Sequence, residues 1–244
     1  MNNAIQLFSR ATAGFEQRLA QTVLRLQQAC AQHPGRIVQT TSLGAEDMVI
    51  TDLIARHGLP ITLATLDTGR LHEQTLALIP AIESRYGVAV QRWQPLAQAA
   101  VHFVRTHGEL AMRDSVELRK ACCQLRKLEP LARLLEGRTA WVTGLRREQS
   151  GARAEVPFEA TDESGRSKIN ALADWSWHDV WHYIELHDVP YNALHDQCFP
   201  SIGCEPCTRA VALGEDSRAG RWWWEQASTK ECGLHVTQSQ ETAA

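Results

Sequence analysis

Segments that read alternately as buried strands and amphipathic helices fill the first half of the chain, and this alternation limits the fold most strongly. The helical segments, residues 45–58 and 72–87, lie between strand segments. Such alternation implies right-handed crossovers and a mostly parallel sheet with flanking helices, so we predict an α/β fold. The predicted strands are IVQTTSL at 37–43, ITLATLD at 61–67, VAVQRW at 88–93 and AWVTGL at 140–145.

The remaining segments are predicted to be helices or loops. Apolar residues from Ala4 to about His33 follow the period of one amphipathic helix, and residues 96–136 also read as helical. The sequence from Ser176 to Asp179 resembles a capping box that opens a helix. The stretch after this helix is rich in Pro, Cys, Gly and Trp, which predicts a loop-rich C-terminal tail.

Composition describes an ordinary globular chain. Its 244 residues are 44% hydrophobic and 22% charged, and the net charge of −3 supplies no large positive field for a nucleic-acid backbone. The N-terminal residues contain no apolar signal core, and no apolar run reaches the roughly 18 residues of a membrane span. We therefore expect a single-domain cytoplasmic protein that binds neither nucleic acid nor membrane.

Two strand–loop–helix segments could form an anion site. In TTSLGAEDMV, from Thr40, the strand ends at Ser42-Leu43-Gly44, where free N–H groups and a positive helix end would meet a ligand. Glu46 and Asp47 would then have to point away from the anion, and a plain helix cap is the alternative. In LDTGRLHEQT, from Leu66, the same logic recurs one unit later. It places Gly69, Arg70 and His72 at the same sheet edge.

Seven cysteines without a signal peptide favour metal binding or catalysis over disulfides. Cys122 and Cys123 are adjacent, and Cys204 and Cys207 form a CxxC pair, so four thiolates could converge. Zinc and an iron–sulfur cluster both accept four thiolates, but the adjacent pair is unusual for structural zinc and favours a cluster. Lys127 would share a helical face with Cys123, where a cation offsets an anionic cluster, unless it only belongs to a solvated face.

These motifs together resemble the sulfonucleotide reductases, and within them the iron–sulfur adenylyl-sulfate reductases of bacterial sulfate assimilation and cysteine biosynthesis. The resemblance covers about residues 38–236 and departs from the family pattern at Leu43 and Glu148. It implies an adenine nucleotide alpha hydrolase-like fold and a 4Fe–4S cluster held by the four cysteines named above. The motifs, in order, are SLGAEDMV, LDTGRLHEQT, RKACCQLRK, TGLRREQS, IGCEPCT, RAGRWWWE and KECGLH.

The resemblance further implies reduction of adenosine 5'-phosphosulfate to sulfite and AMP. Cys232 would be the nucleophile, forming an S-sulfocysteine that thioredoxin or a glutaredoxin-like protein reduces. Three segments follow: an N-terminal helix at 1–35, a nucleotide- and cluster-binding domain at 36–215, and a segment at 216–244 that carries the nucleophile. Homo-oligomerisation is a family expectation. The implied substrate contacts are Ser42, Leu43, Gly44, Leu66, Thr68, Gly69, Arg70, Lys127, Gly144, Arg146, Arg147, Arg218, Arg221 and His235.

Three other functions stay open at the level of sequence. A reductase of 3'-phosphoadenosine 5'-phosphosulfate is the nearest, although such relatives generally lack the four cysteines and some cluster-bearing members accept both substrates. An ATP-pyrophosphatase of the PP-loop kind would need the SGGxDS glycine pair, which SLGAEDMV lacks. A zinc-stapled interaction module would leave KECGLH without a role. Cys30 and Cys198 are read as structural, and the Trp222–Trp224 run as packing.

Overall fold

Six strands form one mixed sheet whose order is β3-β2-β1-β4-β6-β5. The computed structural model describes residues 3–212 and 214–226. Neighbouring strands are parallel except the edge strand β5, which runs antiparallel to β6. The predicted α/β fold class is confirmed. The strands are β1 (Ile37–Thr41), β2 (Thr62–Leu66), β3 (Val90–Trp93), β4 (Ala140–Thr143), β5 (Glu159–Thr161) and β6 (Ser167–Asn170).

Nine α-helices occur in the described part of the chain. Both faces of the sheet carry helices, as expected for parallel strands joined by crossovers. The helices are α1 (Ala4–Phe8), α2 (Phe15–Gln32), α3 (Ala45–Arg56), α4 (Glu73–Leu76), α5 (Leu78–Tyr86), α6 (Ala97–His107), α7 (Val116–Cys123), α8 (Glu129–Leu134) and α9 (Trp177–His187).

Alternation along β1 divides the core into two layers. Ile37 packs with α2, α3, α5 and α9 in the larger hydrophobic cluster, whereas Val38 points to the opposite face and packs with Leu131 and Leu134 of α8. The buried Asp52 carboxylate ties the larger layer together, because it accepts hydrogen bonds from Tyr86 of α5 at 2.9 Å and Tyr183 of α9 at 2.7 Å. The site described below therefore lies at the edge of a sheet that has a hydrophobic core layer on each face.

The N-terminal stretch is two helices, so the prediction of a single helix from Ala4 to about His33 was wrong. The chain breaks between Ser9 and Gly14, and Gly14 begins α2 in the left-handed conformation with φ of 77°. A tertiary contact holds the break: Thr12 donates its N–H and hydroxyl to Asp179 at 3.0 and 2.8 Å. The capping box predicted at Ser176 and Asp179 is confirmed.

Two further predicted helices are interrupted. Residues 72–87 form α4 and α5, which meet at Ala77 because Pro80 has no N–H to donate to the carbonyl of Leu76. Residues 96–136 break at Gly108 and continue through a π-helical turn at Gln124–Leu128 between α7 and α8. π-Turns of this kind occur frequently at functional sites, and this one carries Lys127.

Strands β5 and β6 were not predicted, because their sequences EAT and SKIN are short and largely polar. No helix in the described ranges is long and apolar enough to cross a membrane. The division into segments 1–35, 36–215 and 216–244 stays a prediction, although Phe15 and Leu26 of the first segment pack into the larger cluster together with the sheet.

Candidate active site

A cavity of about 380 Å³ opens at the carboxyl ends of β1, β2 and β4. The strand order reverses direction at β1 and β4, and open α/β sheets bind ligands at such a switch point. Side chains from both sheet faces line the cavity. One wall carries Leu66, Leu131 and Trp141, and another carries Trp177 and His195. Its size and mixed lining suit a nucleotide-sized ligand.

The turn after β1 binds a carboxylate of the protein itself, that of Asp47 in α3. Asp47 accepts hydrogen bonds from the Ser42 N–H at 2.6 Å and from the Ser42 hydroxyl at 2.5 Å. Burial raises the pKa of Asp47 to about 6, against these hydrogen bonds, which lower it. Glu46 and Asp47 both line the cavity, and that they point away from a bound anion stays a prediction. Leu43 was predicted to contact the substrate, but it does not line the cavity. It has a φ of 61°, packs in the core and is fully buried.

Arg146 lies in the cavity wall between two carboxylates. Its Nη2 is 2.9 Å from Glu46 Oε1, and its Nη1 is 2.8 Å from Glu148 Oε2. Burial would raise the pKa of Glu46, but the Arg146 charge and hydrogen bonds hold it below its usual value. Gly144 lines the cavity beside this pair, and a Cβ there would lie 2.6 Å from Asp47 Oδ1. The glycine is needed for this close approach.

The loop after β2 is bound to the CxxC loop. Leu71 and Cys204 form an antiparallel bridge, and the Glu205 N–H donates to the Arg70 carbonyl at 2.8 Å. The Thr68 hydroxyl lies 3.3 Å from Cys204 Sγ. The loop of the LDTGRLHEQT motif and the CxxC loop are thus in direct contact.

The four predicted metal-ligating cysteines line one small cavity of about 20 Å³. All four are buried free thiols, and Cys122 and Cys123 reach the cavity from the end of α7. Burial raises the pKa of Cys207 to about 12, and Cys204 pushes it in the same direction, while Lys127 and Arg221 oppose the shift. In the described ranges, no group of three or more His, Cys, Asp or Glu side chains could hold a single metal ion as arranged.

The two cavities share a wall. Lys127, Cys204 and Trp222 line both of them. Arg218 and Arg221 line the large cavity on the same side. This side therefore presents three of the predicted substrate cations next to the thiols.

Trp222 is held between two arginines. The guanidinium carbons of Arg119 and Arg221 lie 4.8 and 4.7 Å from its ring centroid. Arg119 in turn forms a two-point ion pair with Glu225, at 2.9 Å for each contact, and both side chains are almost fully buried. These contacts fix the segment after the CxxC loop against α7.

Not every predicted contact reaches the large cavity. Arg147 donates to the Val156 carbonyl at 2.9 Å and stacks on Phe158. Arg70 lines the small cavity and pairs with Glu109, and Gly69 sits in a left-handed turn beside Arg126. Cys232 and His235 lie outside the described residues. The cavity is lined by these predicted contacts: Ser42, Gly44, Leu66, Thr68, Lys127, Gly144, Arg146, Arg218 and Arg221.

Several lining residues were missed from the sequence. Trp177 and His195 follow no recognised motif, and only the neighbouring capping box marks the place of Trp177. Arg153 lies three residues after TGLRREQS and lines the same cavity. Its spacing from that motif was the one available signal.

Comparison with known proteins decides the family. Residues 36–210 match the model described as the phosphoadenosine phosphosulfate reductase domain. The chain belongs to this family. Among curated members, the adenosine 5'-phosphosulfate reductase of Allochromatium vinosum is 54% identical over 228 residues, which are 93% of this chain and 89% of the relative. That of Burkholderia cepacia is 51% identical over 94% of each chain.

Solved structures agree with this membership. A Candida auris phosphoadenylyl-sulfate (PAPS) reductase in a phosphate complex is 28% identical, with a TM-score of 0.66, and covers 83% of this chain and 100% of its own. Yeast FAD synthetase, at 13% identity and a TM-score of 0.58, covers 85% of this chain and 71% of its own and shows the fold alone. The family resemblance inferred from sequence motifs is confirmed.

Proposed function

We propose that this protein reduces adenosine 5'-phosphosulfate to sulfite and AMP, with thioredoxin or a glutaredoxin-like protein as the electron donor. The observation that carries the proposal is the wall shared by the two cavities, in which Lys127 and Cys204 face both a nucleotide-sized space and the four thiols. The names of the curated relatives support the same substrate.

The nucleoside would bind on the side of the cavity away from the thiols. Leu66, Leu131 and Trp141 supply apolar and aromatic surface there, as purine rings require. The phosphosulfate would then extend toward Lys127, Arg218 and Arg221. Forked guanidinium groups match sulfate and phosphate oxygens, and their charge is needed because the substrate is anionic.

The reaction needs one nucleophile and one external thiol pair. The Cys232 thiolate attacks the sulfur of the sulfate group, the bond from that sulfur to the bridging phosphate oxygen breaks, and AMP leaves. An S-sulfocysteine remains on the enzyme. A donor thiolate then attacks the Cys232 sulfur, forms a mixed disulfide with it and expels sulfite. The second donor thiol attacks the donor sulfur of this mixed disulfide, which closes the disulfide on the donor and releases the Cys232 thiolate. The two electrons thus come from the donor dithiol.

The four thiols fit a 4Fe–4S cluster. Each cysteine binds a different iron of such a cluster, so the sulfurs need not meet at one point as they would around one metal ion. Burial makes these thiols costly to ionise, and bound iron would stabilise the thiolates. Cys122, Cys123, Cys204 and Cys207 would hold the cluster. It would supply a charged, rigid wall beside the substrate, with Lys127 between the two.

The cytoplasm is the compartment that fits six described cysteines as free thiols. Homo-oligomerisation stays an expectation from the family resemblance. Reduction of the 3'-phosphorylated substrate is the second candidate, favoured by the likeness to the Candida auris protein.

The deciding experiment compares anaerobically purified wild type with Cys232→Ser. Sulfite release is measured from each of the two sulfonucleotides with thioredoxin as donor, together with iron content and visible absorbance. We expect iron in both proteins and activity with adenosine 5'-phosphosulfate only in the wild type, because the serine hydroxyl is a far weaker nucleophile than a thiolate. Activity in Cys232→Ser, or none in an iron-loaded wild type, would refute the proposal.

A further inference from the structure

Arg221 is packed directly on the backbone of Gly203. A Cβ on Gly203 would lie 2.4 Å from Nη2, 2.5 Å from Cζ and 3.0 Å from Nη1 of Arg221, distances at which atoms overlap. The φ angle of Gly203 is not in the left-handed region, so backbone conformation does not require glycine there. A side chain at position 203 would meet the guanidinium, which would then have to move.

The guanidinium is fixed on its other sides as well. Nη1 donates to the Ile202 carbonyl at 3.1 Å, and the Trp222 ring covers the group at 4.7 Å. Arg221 is only 8% exposed, and its buried Nε has no hydrogen-bond partner in the described ranges. A cation held this way loses little conformational freedom when it binds an anion in the cavity that it lines.

The turn beneath Arg221 is rigid. The Gly203 N–H donates to the Thr208 hydroxyl at 3.1 Å, and that hydroxyl donates to the Cys204 carbonyl at 2.9 Å. Thr208 and Arg221 also form an antiparallel bridge. The backbone of Gly203 therefore cannot move away from the guanidinium without disturbing the CxxC loop.

We propose that Gly203 is a positioning residue for the anionic substrate, because its bare backbone seats the Arg221 guanidinium in the cavity wall. The inference rests on the proposed function. Through this contact the residue before Cys204 sets where the substrate cation lies, so the CxxC loop orders both the thiols and the anion site. Any side chain at position 203 would push the guanidinium out of this seat.

A double-mutant cycle tests the inference. Gly203→Ala, Arg221→Ala and the double variant are prepared anaerobically with cluster in a Cys232→Ser background, so that the substrate binds without being cleaved. The dissociation constants for adenosine 5'-phosphosulfate and for adenosine are measured by calorimetry. Gly151→Ala is the matched control, since its added methyl meets nothing within 4 Å and its φ is not left-handed either. Iron content and the thermal midpoint are recorded for every variant.

Gly203→Ala should weaken binding of adenosine 5'-phosphosulfate by roughly 10- to 100-fold, the value of one charge-assisted contact. Adenosine binding should not change, and the double variant should bind no worse than Arg221→Ala. Binding by Gly203→Ala equal to that of Gly151→Ala would overturn the inference. Additive losses of substrate affinity in the double variant would also overturn it, as would a loss of iron that persists in the double variant. Either result would mean that Gly203→Ala disturbs the CxxC turn itself and not the position of Arg221. A Cys232→Ser parent that binds no adenosine 5'-phosphosulfate would instead refute the proposed function.

Discussion

The buried ion pair between Arg119 and Glu225 allows a prediction of large magnitude. The Arg119 and Glu225 side chains are 1% and 3% exposed, and two contacts of 2.9 Å join them. Glu225→Gln keeps the shape of the side chain but removes the charge that compensates the buried guanidinium. Breaking one partner of a buried pair costs roughly 3–5 kcal/mol. For a chain of this size that corresponds to a fall of about 6–20 °C in the thermal midpoint.

A second ion pair, also joined by two contacts but exposed to solvent, serves as the control. Arg209 also contacts Glu215 at two points of 2.9 Å, but its partners are 38% and 34% exposed. Water screens such a pair, so Glu215→Gln should leave the thermal midpoint almost unchanged. The two variants therefore compare a buried with an exposed two-point ion pair; Arg119 donates through Nε and Nη2, and Arg209 donates through Nη1 and Nη2.

The loss of stability in Glu225→Gln can also appear as local opening. The segment from Arg218 to Glu225 would then detach from α7 and expose Arg119 to water. Hydrogen exchange of the amides in 218–225 detects this, and a loss of about 3 kcal/mol would speed their exchange about 100-fold. Trp222, which is 1% exposed and packed on Arg119, should then become accessible to a fluorescence quencher. If Glu225→Gln changed neither the midpoint nor the exchange relative to Glu215→Gln, the reasoning from burial would be refuted.

Two further predictions follow from charge. Lys127→Ala should lower the rate of sulfite release while iron content and visible absorbance stay intact. Lys120 is exposed, so Lys120→Ala should change none of these three quantities. Equal rates for the two variants would contradict a bridging role for Lys127. The pKa of Asp47 is raised from 3.8 to about 6, so the folded protein holds this proton more tightly than the unfolded chain does. The resulting stabilisation is fully present below pH 4, and about 3 kcal/mol of unfolding free energy is lost as the pH rises from there through 6. Asp47→Asn should flatten this fall in denaturation curves between pH 4 and 6, and an unchanged slope would contradict the assignment.

Periodicity in the sequence predicted the elements that bury an apolar face. The strands β1 to β4 and the helix α3 were predicted with boundaries close to those observed. The short strands β5 and β6 carry no such signal. β6 forms because β4 offers it an unpaired partner, and the edge strand β5 then pairs with β6. Likewise, the break before α2 depends on Asp179, which lies 167 residues from Thr12, and local pattern carries no information about such a contact.

The site was predicted by motif spacing more than by physics. Adjacent cysteines and a CxxC pair were enough to bring four thiols to one place, and the structure gathers all of them around one small cavity. Side-chain direction was harder to infer, because the pattern does not say whether an acidic residue in a helix's first turn faces the ligand. Asp47 turns back to Ser42, and Arg147 turns outward to Val156.

The placement of carboxylates explains why the substrate anion should bind beside the thiols and not at the first turn of α3. That helix end already receives Asp47 at the Ser42 N–H, and Glu46 and Glu148 neutralise the nearest arginine, Arg146. A phosphosulfate there would meet two carboxylates at close range, and like charges in a partly buried site repel strongly. Lys127, Arg218 and Arg221 lie beside the thiols, so the proposed binding mode would bring the sulfate sulfur toward the side on which sulfur chemistry can take place.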